Sequence, residues 1–322
     1  MNALSLVRKC IEPELERFSQ VFDESLSTSS SYLSQILSSV KHKGKLMRPI
    51  LLLLVAKDNG EPTDASFLSA VTLEMIHSAS LIHDDVVDDS DERRGKASVN
   101  ATYGNQVAVL AGDYLLSNAL IKACETCSIP IVTRIADLGR QLAKGEIVQM
   151  KNASVNALSE EGYFNAIQLK TAALFSTCAE LGALSVGASQ ERMAWAKSLG
   201  EHIGICFQIR DDIFDYYNDN VGKPTGNDLR EGKITLPLVN ALNRFPDAYM
   251  LSLAEKARSL TITEKEIAEL VAFAKDKGGI DYARKVMYDR AETARQMLAE
   301  VRHEPIREAL NQYIDFVVER TS

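Results

Sequence analysis

Apolar residues along this chain recur with a period near 3.6 positions. Ile267, Leu270, Val271 and Ala274 fall at i, i+3, i+4 and i+7, which lines one face of a helix. Thr263 and Glu266 make a capping box in front of them, and Gly278-Gly279 supplies the stop. A proline inside a helix costs about 3 kcal/mol, so its absence between Pro62 and Pro130, and again between Pro130 and Pro224, leaves room for long helices. Similar reading predicts helices over 3–24, 31–41, 46–58, 64–88, 104–128, 130–151, 159–186, 190–217, 235–245, 248–258, 280–301 and 304–319. Alternating apolar runs flanked by Asn-Gly or Asp-Gly are missing. The expected fold class is therefore all-α, a bundle of long helices. No low-complexity linker divides it, so a single domain over 1–322 is expected, with the Ser-rich stretch 25–31 as a loop.

Composition then narrows the partners. The chain has 322 residues, 46% hydrophobic and 25% charged, which excludes disorder. Its 36 basic and 44 acidic residues leave a net charge of −8, the wrong sign for nucleic acid held by phosphate contacts. The longest unbroken apolar run, 49–56, is far short of the ~20 residues that cross a bilayer. With no signal-peptide pattern at the N-terminus, a cytoplasmic protein without a transmembrane segment is expected. Cys10, Cys124, Cys127, Cys178 and Cys206 are an odd, scattered set and are expected as reduced thiols. Cys124 and Cys127 lack the second ligand pair of a zinc site and read as buried helix positions.

Two irregular, charge-rich segments, 89–100 and 218–235, each follow an acidic helix end, and matched charged loops suggest a site. The acidic ends are Asp84-Asp85-Val86-Val87-Asp88 and Asp211-Asp212-Ile213-Phe214-Asp215, each D-D-x-x-D. At ~6% Asp per position, one such pattern arises by chance in roughly one chain in fifteen, and two in a few per thousand. Residues i and i+4 share a helix face, which stacks Asp84 over Asp88 and Asp211 over Asp215. Carboxylates aimed at one point repel unless a cation lies between them. Hard oxygen donors that leave positions for water and phosphate suit Mg²⁺ carrying a diphosphate.

Cations for the phosphate oxygens stand in the adjoining segments: Arg93-Arg94 after the first motif, Lys223 and Lys233 after the second, and Lys45 and Arg48 before a very apolar helix. Leu73, Met75, Ile76, Leu81 and Ile82 lead into the first motif, and Ile203, Ile205, Phe207 and Ile209 into the second, so the substrate is expected to carry an apolar tail. One turn before Asp84 lies Ser80, beside Ala79. Their small side chains leave room for a cavity, or equally for close helix packing.

The segments GKLMRP, LIHDDVVDDSDERRG, GDYLL, the pair Lys170-Thr171 and FQIRDDIFDYYNDNVGKPTGNDLREGKITLPL resemble, in order and spacing, the trans-isoprenyl diphosphate synthases (E-polyprenyl diphosphate synthases). Within that family the chain resembles the medium- and long-chain, octaprenyl diphosphate synthase-like branch. The resemblance implies an isoprenoid synthase-type helical bundle around a central cavity, a homodimer, and Mg²⁺, three ions per site once diphosphate is bound. It makes Asp84, Asp85, Asp88, Asp211, Asp212 and Asp215 the metal ligands. Lys45, Arg48, His77 and Arg94 would bind isopentenyl diphosphate, while Arg93, Lys170, Thr171, Gln208, Lys223 and Lys233 would contact the allylic diphosphate, the last five also taking part in catalysis.

The implied reaction is head-to-tail condensation of isopentenyl diphosphate with an allylic diphosphate. Ionisation of the allylic C–O bond leaves charge on the departing diphosphate, which cations stabilise as it develops. In short-chain members the positions before the first motif are often bulky. Ala79 and Ser80 are small, which favours linear C20 to C40 products of the quinone-tail type, with Leu116, Ile147 and Met150 as candidates for the cavity floor. A lipid product of that length implies peripheral membrane contact at release. A class I terpene cyclase and a non-catalytic subunit of a hetero-oligomeric synthase are the alternatives. The second D-D-x-x-D speaks against the first, and the intact cations against the second.

Overall fold

The structure, a computed structural model, describes residues 3–40, 44–93, 95–152, 158–217 and 225–320. Its first helix is interrupted where 3–24 was expected to run unbroken. Helix α1 (Ala3–Cys10) ends at Ile11, whose φ of −128° is not helical, and α2 (Glu12–Ser25) restarts with Pro13 in its first turn. Proline is tolerated there because the first N–H groups of a helix have no partner to lose. Helices α3 (Ser31–Val40), α4 (Met47–Asn59) and α5 (Asp64–Val87) follow, close to their expected bounds.

The loop after α5 holds a two-residue antiparallel pair, β1 (Glu92–Arg93) with β2 (Lys96–Ala97), turned by Gly95 at φ 72°. The helix expected over 104–128 is two, α6 (Val99–Tyr103) and α7 (Asn105–Glu125), separated by Gly104 at φ 85°. Helix α8 (Ile129–Asn152) is unbroken. The helix expected over 159–186 is α9 (Glu160–Ile167) and α10 (Ala173–Ser185) joined by a π-helical turn, Gln168–Ala172. Such turns insert an extra residue and occur often at functional sites. Then come α11 (Gln190–Phe214), the short α12 (Asn227–Arg230), α13 (Leu236–Arg244), α14 (Ala248–Arg258), α15 (Glu264–Asp276), α16 (Gly279–Met297) and α17 (Glu304–Glu319). The capping box of Thr263 with Glu266 forms as expected at the start of α15. The all-α fold class holds.

The fold resolves into two compact units: 1–139 with 174–200 and 301–310, and 140–173 with 201–300 and 311–322. In the first unit α5 packs along α7 and against α4. The apolar run 50–56 is wholly buried. Gly182 lets α10 approach α4 at the backbone, since a Cβ there would stand 2.4 Å from the Leu52 carbonyl oxygen. Asp58, fully buried at the end of α4, accepts from Arg192 Nη2 at 2.6 Å and from the Arg302 and His303 amides at 2.8 and 3.2 Å. In the second unit α13 packs on α15 and α16. Gly279 permits that approach, as a Cβ would meet the Pro237 carbonyl oxygen at 2.0 Å.

Among the described residues, two helices, α5 and α7, are long and apolar enough to cross a membrane by length and composition; α5 is a mostly buried core helix, whereas most of α7's apolar stretch is open. The expectation for Cys124 and Cys127 is corrected. Both are exposed free thiols, because α7 ends at Glu125 and Cys127 turns the chain at φ 52°. Cys178 and Cys206 are buried and free as expected.

Candidate active site

In the first unit, α5 carries the first acidic motif at its C-terminal turn. The Asp88 amide donates to the Asp84 carbonyl at 2.8 Å, and Asp89 at φ 49° ends the helix. The motif's three carboxylates differ in environment. Asp85 is 3% exposed and its Oδ1 accepts from Arg93, with Nε at 2.8 Å, while Asn100 Nδ2 holds its carbonyl at 3.2 Å. Asp84 is half-buried and Asp88 exposed. No basic residue lies in the last turn of α5, although the carbonyl end of a helix is already electronegative. Four acids, Asp84, Asp85, Asp88 and Asp89, crowd that end, and Arg93 supplies a cation to Asp85.

The same unit holds Lys45, Arg48, His77, Ala79 and Ser80. Lys45 is exposed; Arg48 lies over the Phe175 ring at 5.0 Å; His77 is buried on α5. Ala79 is fully buried, and the Ser80 hydroxyl donates to the His77 carbonyl at 2.9 Å. Arg94 lies outside the described residues. Beside the motif, His83 Nε2 lies 3.2 Å from the Val109 carbonyl oxygen and 3.4 Å from Asp113. Gly112 makes the space, because a Cβ there would overlap the imidazole at 2.2 Å.

The second unit brings the second motif together with Thr171, Gln208 and Lys233, and holds Lys170 next to Thr171 in the π-helical turn. Thr171 Oγ1 donates to Gln208 Oε1 at 2.6 Å, Gln208 Nε2 donates to Asp212 Oδ1 at 2.7 Å, and the Tyr163 hydroxyl donates to Asp212 Oδ2 at 2.5 Å. Asp212, 3% exposed, thus has a protein donor on each oxygen. Asp215 caps α12, accepting from the Asn227 and Asp228 amides at 2.8 and 3.1 Å. Asp211 is the more open carboxylate, and its Oδ1 accepts from Arg320 Nη2 at 2.5 Å. Lys170 is paired with Glu146, and Lys233 with Glu231 at 2.6 Å. Lys223 lies outside the described residues.

Negative charge accumulates around this second motif. Burial pushes the Asp212 carboxyl up to about 7 against the bonds from Tyr163 and Gln208, with Asp211 and Asp215 adding repulsion. Burial raises Asp215 as well. Asp228 is raised well above the usual carboxylate range by burial and by its neighbours Asp212 and Asp215, with Lys233 opposing. Tyr163 and Tyr216 are also raised, chiefly by burial. Crowded acids of this kind are relieved by added cations.

Among the described residues, no three His, Cys, Asp or Glu side chains converge as a preformed metal cage. The donors are nonetheless all hard carboxylate oxygens, which fits Mg²⁺ and disfavours soft metals. Tyr163, Glu146, Asp228 and Arg320 were not singled out from the sequence.

A family model described as polyprenyl synthetase matches residues 30–272. The chain belongs to the polyprenyl synthetase family. It is 32% identical over 297 residues to the octaprenyl diphosphate synthase of Haemophilus influenzae, covering 91% of this chain and 90% of that one. Among solved structures, the geranylgeranyl pyrophosphate synthase of Bacteroides thetaiotaomicron superposes with a TM-score of 0.89 at 44% identity, covering 99% of this chain and 100% of that one. A polyprenyl synthase from Caulobacter crescentus, complexed with calcium and isoprenyl diphosphate, gives 0.91 at 30% identity, covering 99% of this chain and 98% of that one. These likenesses to other polyprenyl synthetases run nearly end to end and span both acidic motifs.

Proposed function

We propose that this polyprenyl synthetase is a Mg²⁺-dependent trans-prenyltransferase of the cytoplasm. It condenses isopentenyl diphosphate with an allylic diphosphate to give linear trans-polyprenyl diphosphates of C20 to C40 for quinone side chains. Family membership supports the reaction class. The observation that carries the site is that both D-D-x-x-D motifs are intact at helix ends, the second among buried carboxyls whose pKa values burial and mutual repulsion raise.

Asp84, Asp88 and Asp211 are the direct metal ligands in this reading, because they are the more open carboxylates. Asp85, Asp212 and Asp215 complete the set mainly by orienting it, since Arg93, Tyr163, Gln208 and the α12 amides already engage them. Mg²⁺ held by Asp84, Asp88 and Asp211 would supply positive charge to the leaving allylic diphosphate. Arg93 in the first unit, and Lys170, Thr171, Gln208, Lys223 and Lys233 in the second, supply hydrogen bonds to diphosphate oxygens; Lys170 and Lys233 exchange their glutamate partners, and Thr171 its bond to Gln208, for phosphate. Lys45, Arg48, His77 and Arg94 hold isopentenyl diphosphate, which fixes its double bond for attack on the allylic cation. The aliphatic residues leading into each motif, among them Met75, Ile82, Ile205 and Ile209, keep water from that cation.

The small Ala79 and Ser80 favour a longer product. The named relatives make both C20 and longer chains, which spans the same range. A homodimer fits the open face of α7. Val109, Leu110, Leu120 and Ile121 are exposed, and the 11-residue spacing between the two pairs places them on one stripe three turns apart.

Incubation of the protein with Mg²⁺, labelled isopentenyl diphosphate and each allylic primer, followed by sizing of the dephosphorylated products, tests the reaction. A linear ladder supports it, cyclic hydrocarbons point to a terpene cyclase, and no turnover with any primer leaves a partner-subunit role. Asp84→Ala and Asp211→Ala are each expected to lower turnover at least about a hundredfold.

A further inference from the structure

Arg320 stands immediately after α17, 109 residues downstream of the second motif, yet α11 grips it from four positions on one face. Its guanidinium lies 3.8 Å over the Phe207 ring centroid and 5.7 Å from that of Phe214. Nη2 donates to the Phe207 carbonyl at 3.0 Å and to Asp211 Oδ1 at 2.5 Å. The Arg320 carbonyl in turn accepts from Arg210 Nε and Nη2 at 3.0 and 2.8 Å, and the Arg210 guanidinium lies 4.5 Å over Phe214. Positions 207, 210, 211 and 214 are the i, i+3, i+4, i+7 stripe of the helix end that carries the motif.

The side chain of Arg320 is 8% exposed, against 43% for Asp211. A surface ion pair between mobile partners contributes little. This guanidinium differs: it lies over the Phe207 ring and donates to the Phe207 carbonyl, while Arg210 holds the Arg320 backbone through its carbonyl, all without help from Asp211. It is a rigid post on which a more open carboxylate leans. We infer that Arg320 is a positioning residue for the metal half-site, holding Asp211 Oδ1 so that the carboxylate is fixed in orientation for a divalent ion. The C-terminal end of α17 thereby becomes part of that half-site. Groups that orient a ligating side chain typically alter metal affinity 10–100-fold when removed. The inference rests on the reading of Asp211 as a ligand.

The test measures Mn²⁺ binding in the presence of inorganic diphosphate by electron paramagnetic resonance, for the parent, Arg320→Gln, Arg320→Lys, Asp211→Asn and the Arg320→Gln/Asp211→Asn double variant. Thermal melting of each checks the fold, and Arg320→Lys, which keeps the charge, carries the test should Arg320→Gln not fold. Arg320→Gln is expected to weaken Mn²⁺ binding about 10–100-fold, Arg320→Lys less, and the double variant no more than Asp211→Asn alone. Parent-like or tighter binding by Arg320→Gln, with Asp211→Asn weakened, overturns the positioning role alone. An equal loss from Arg320→Gln in the Asp211→Asn background also overturns it, because a purely structural role would act in both. Parent-like binding by Asp211→Asn overturns the ligand assignment and this inference with it.

Discussion

The Tyr163 hydroxyl donates to Asp212 Oδ2 at 2.5 Å inside the second unit, and both residues are buried. Gln208 serves the other oxygen, and Thr171 orients Gln208, so one chain of bonds runs from α9 through the π-helical turn to the second motif. Tyr163→Phe removes the donor and leaves a buried carboxylate oxygen short of a partner. The expected cost is about 1–3 kcal/mol in denaturant unfolding, with lower turnover. Asp212→Asn, which removes the charge as well, is expected to lose less stability than Tyr163→Phe, because desolvation already opposes the ionised form. The order of the two unfolding midpoints decides this.

The arrangement of the candidate site was legible in the sequence where its parts are local. D-D-x-x-D needs only helical periodicity to place Asp84 with Asp88, and the basic segments adjoin the motifs. What local pattern did not disclose are partners fixed by tertiary structure. Tyr163, Glu146 and Arg320 lie 49, 24 and 109 residues from Asp212, Lys170 and Asp211, and nothing in their own neighbourhoods marks them. The fold shows the same division. Helix stretches were readable from proline gaps and apolar period, but the breaks at Ile11 and Gly104 and the π-helical turn over Gln168–Ala172 were not. Each interrupts a stretch whose composition remains helical. Pro13 and Gly104 were available as signals, since each residue type ordinarily marks an end.

Two glycines in helices separate a close approach from an unused freedom. At Gly182 a Cβ would stand 2.4 Å from the Leu52 carbonyl oxygen, a backbone atom that cannot step aside. Gly182→Ala is therefore expected to destabilise by about 1–3 kcal/mol or more. At Gly139 in α8 nothing lies within 4 Å of the added carbon. Gly139→Ala is expected to stabilise by roughly 0.5–1 kcal/mol through helix propensity. Opposite shifts in melting temperature confirm the pair.

The thiols are expected to react in a fixed order. Only the thiolate attacks an alkylating reagent, and burial disfavours it. Burial pushes Cys206 up to about 12 and Cys178 higher still, whereas Cys124 and Cys127 are exposed. Under native conditions near neutral pH, iodoacetamide is expected to label Cys124 and Cys127 first, with Cys10 slower because burial raises it too. Cys178 and Cys206 become labelled only on unfolding. Peptide mass spectrometry over time reads the order, and early labelling of Cys178 would refute it.

His202 on α11 gives the second unit a pH dependence with a definite sign. Burial lowers its pKa below the usual 6.5, and the Arg290 guanidinium on α16 lowers it further, against a smaller opposing pull from Glu201. Its Nδ1 is shut off from solvent and has no hydrogen-bond partner among the described residues. The unfolded chain therefore takes up this proton at higher pH than the folded one. Between the two pKa values the unfolded state binds more protons, so stability rises with pH. The contribution is present in full above the ordinary imidazole range and is lost as pH falls through the lowered folded value. Urea midpoints at about pH 7.5 and about pH 5.5 are expected to differ more for the parent than for His202→Gln, which cannot take up the proton. Equal differences in the two proteins would show that His202 is not the group responsible.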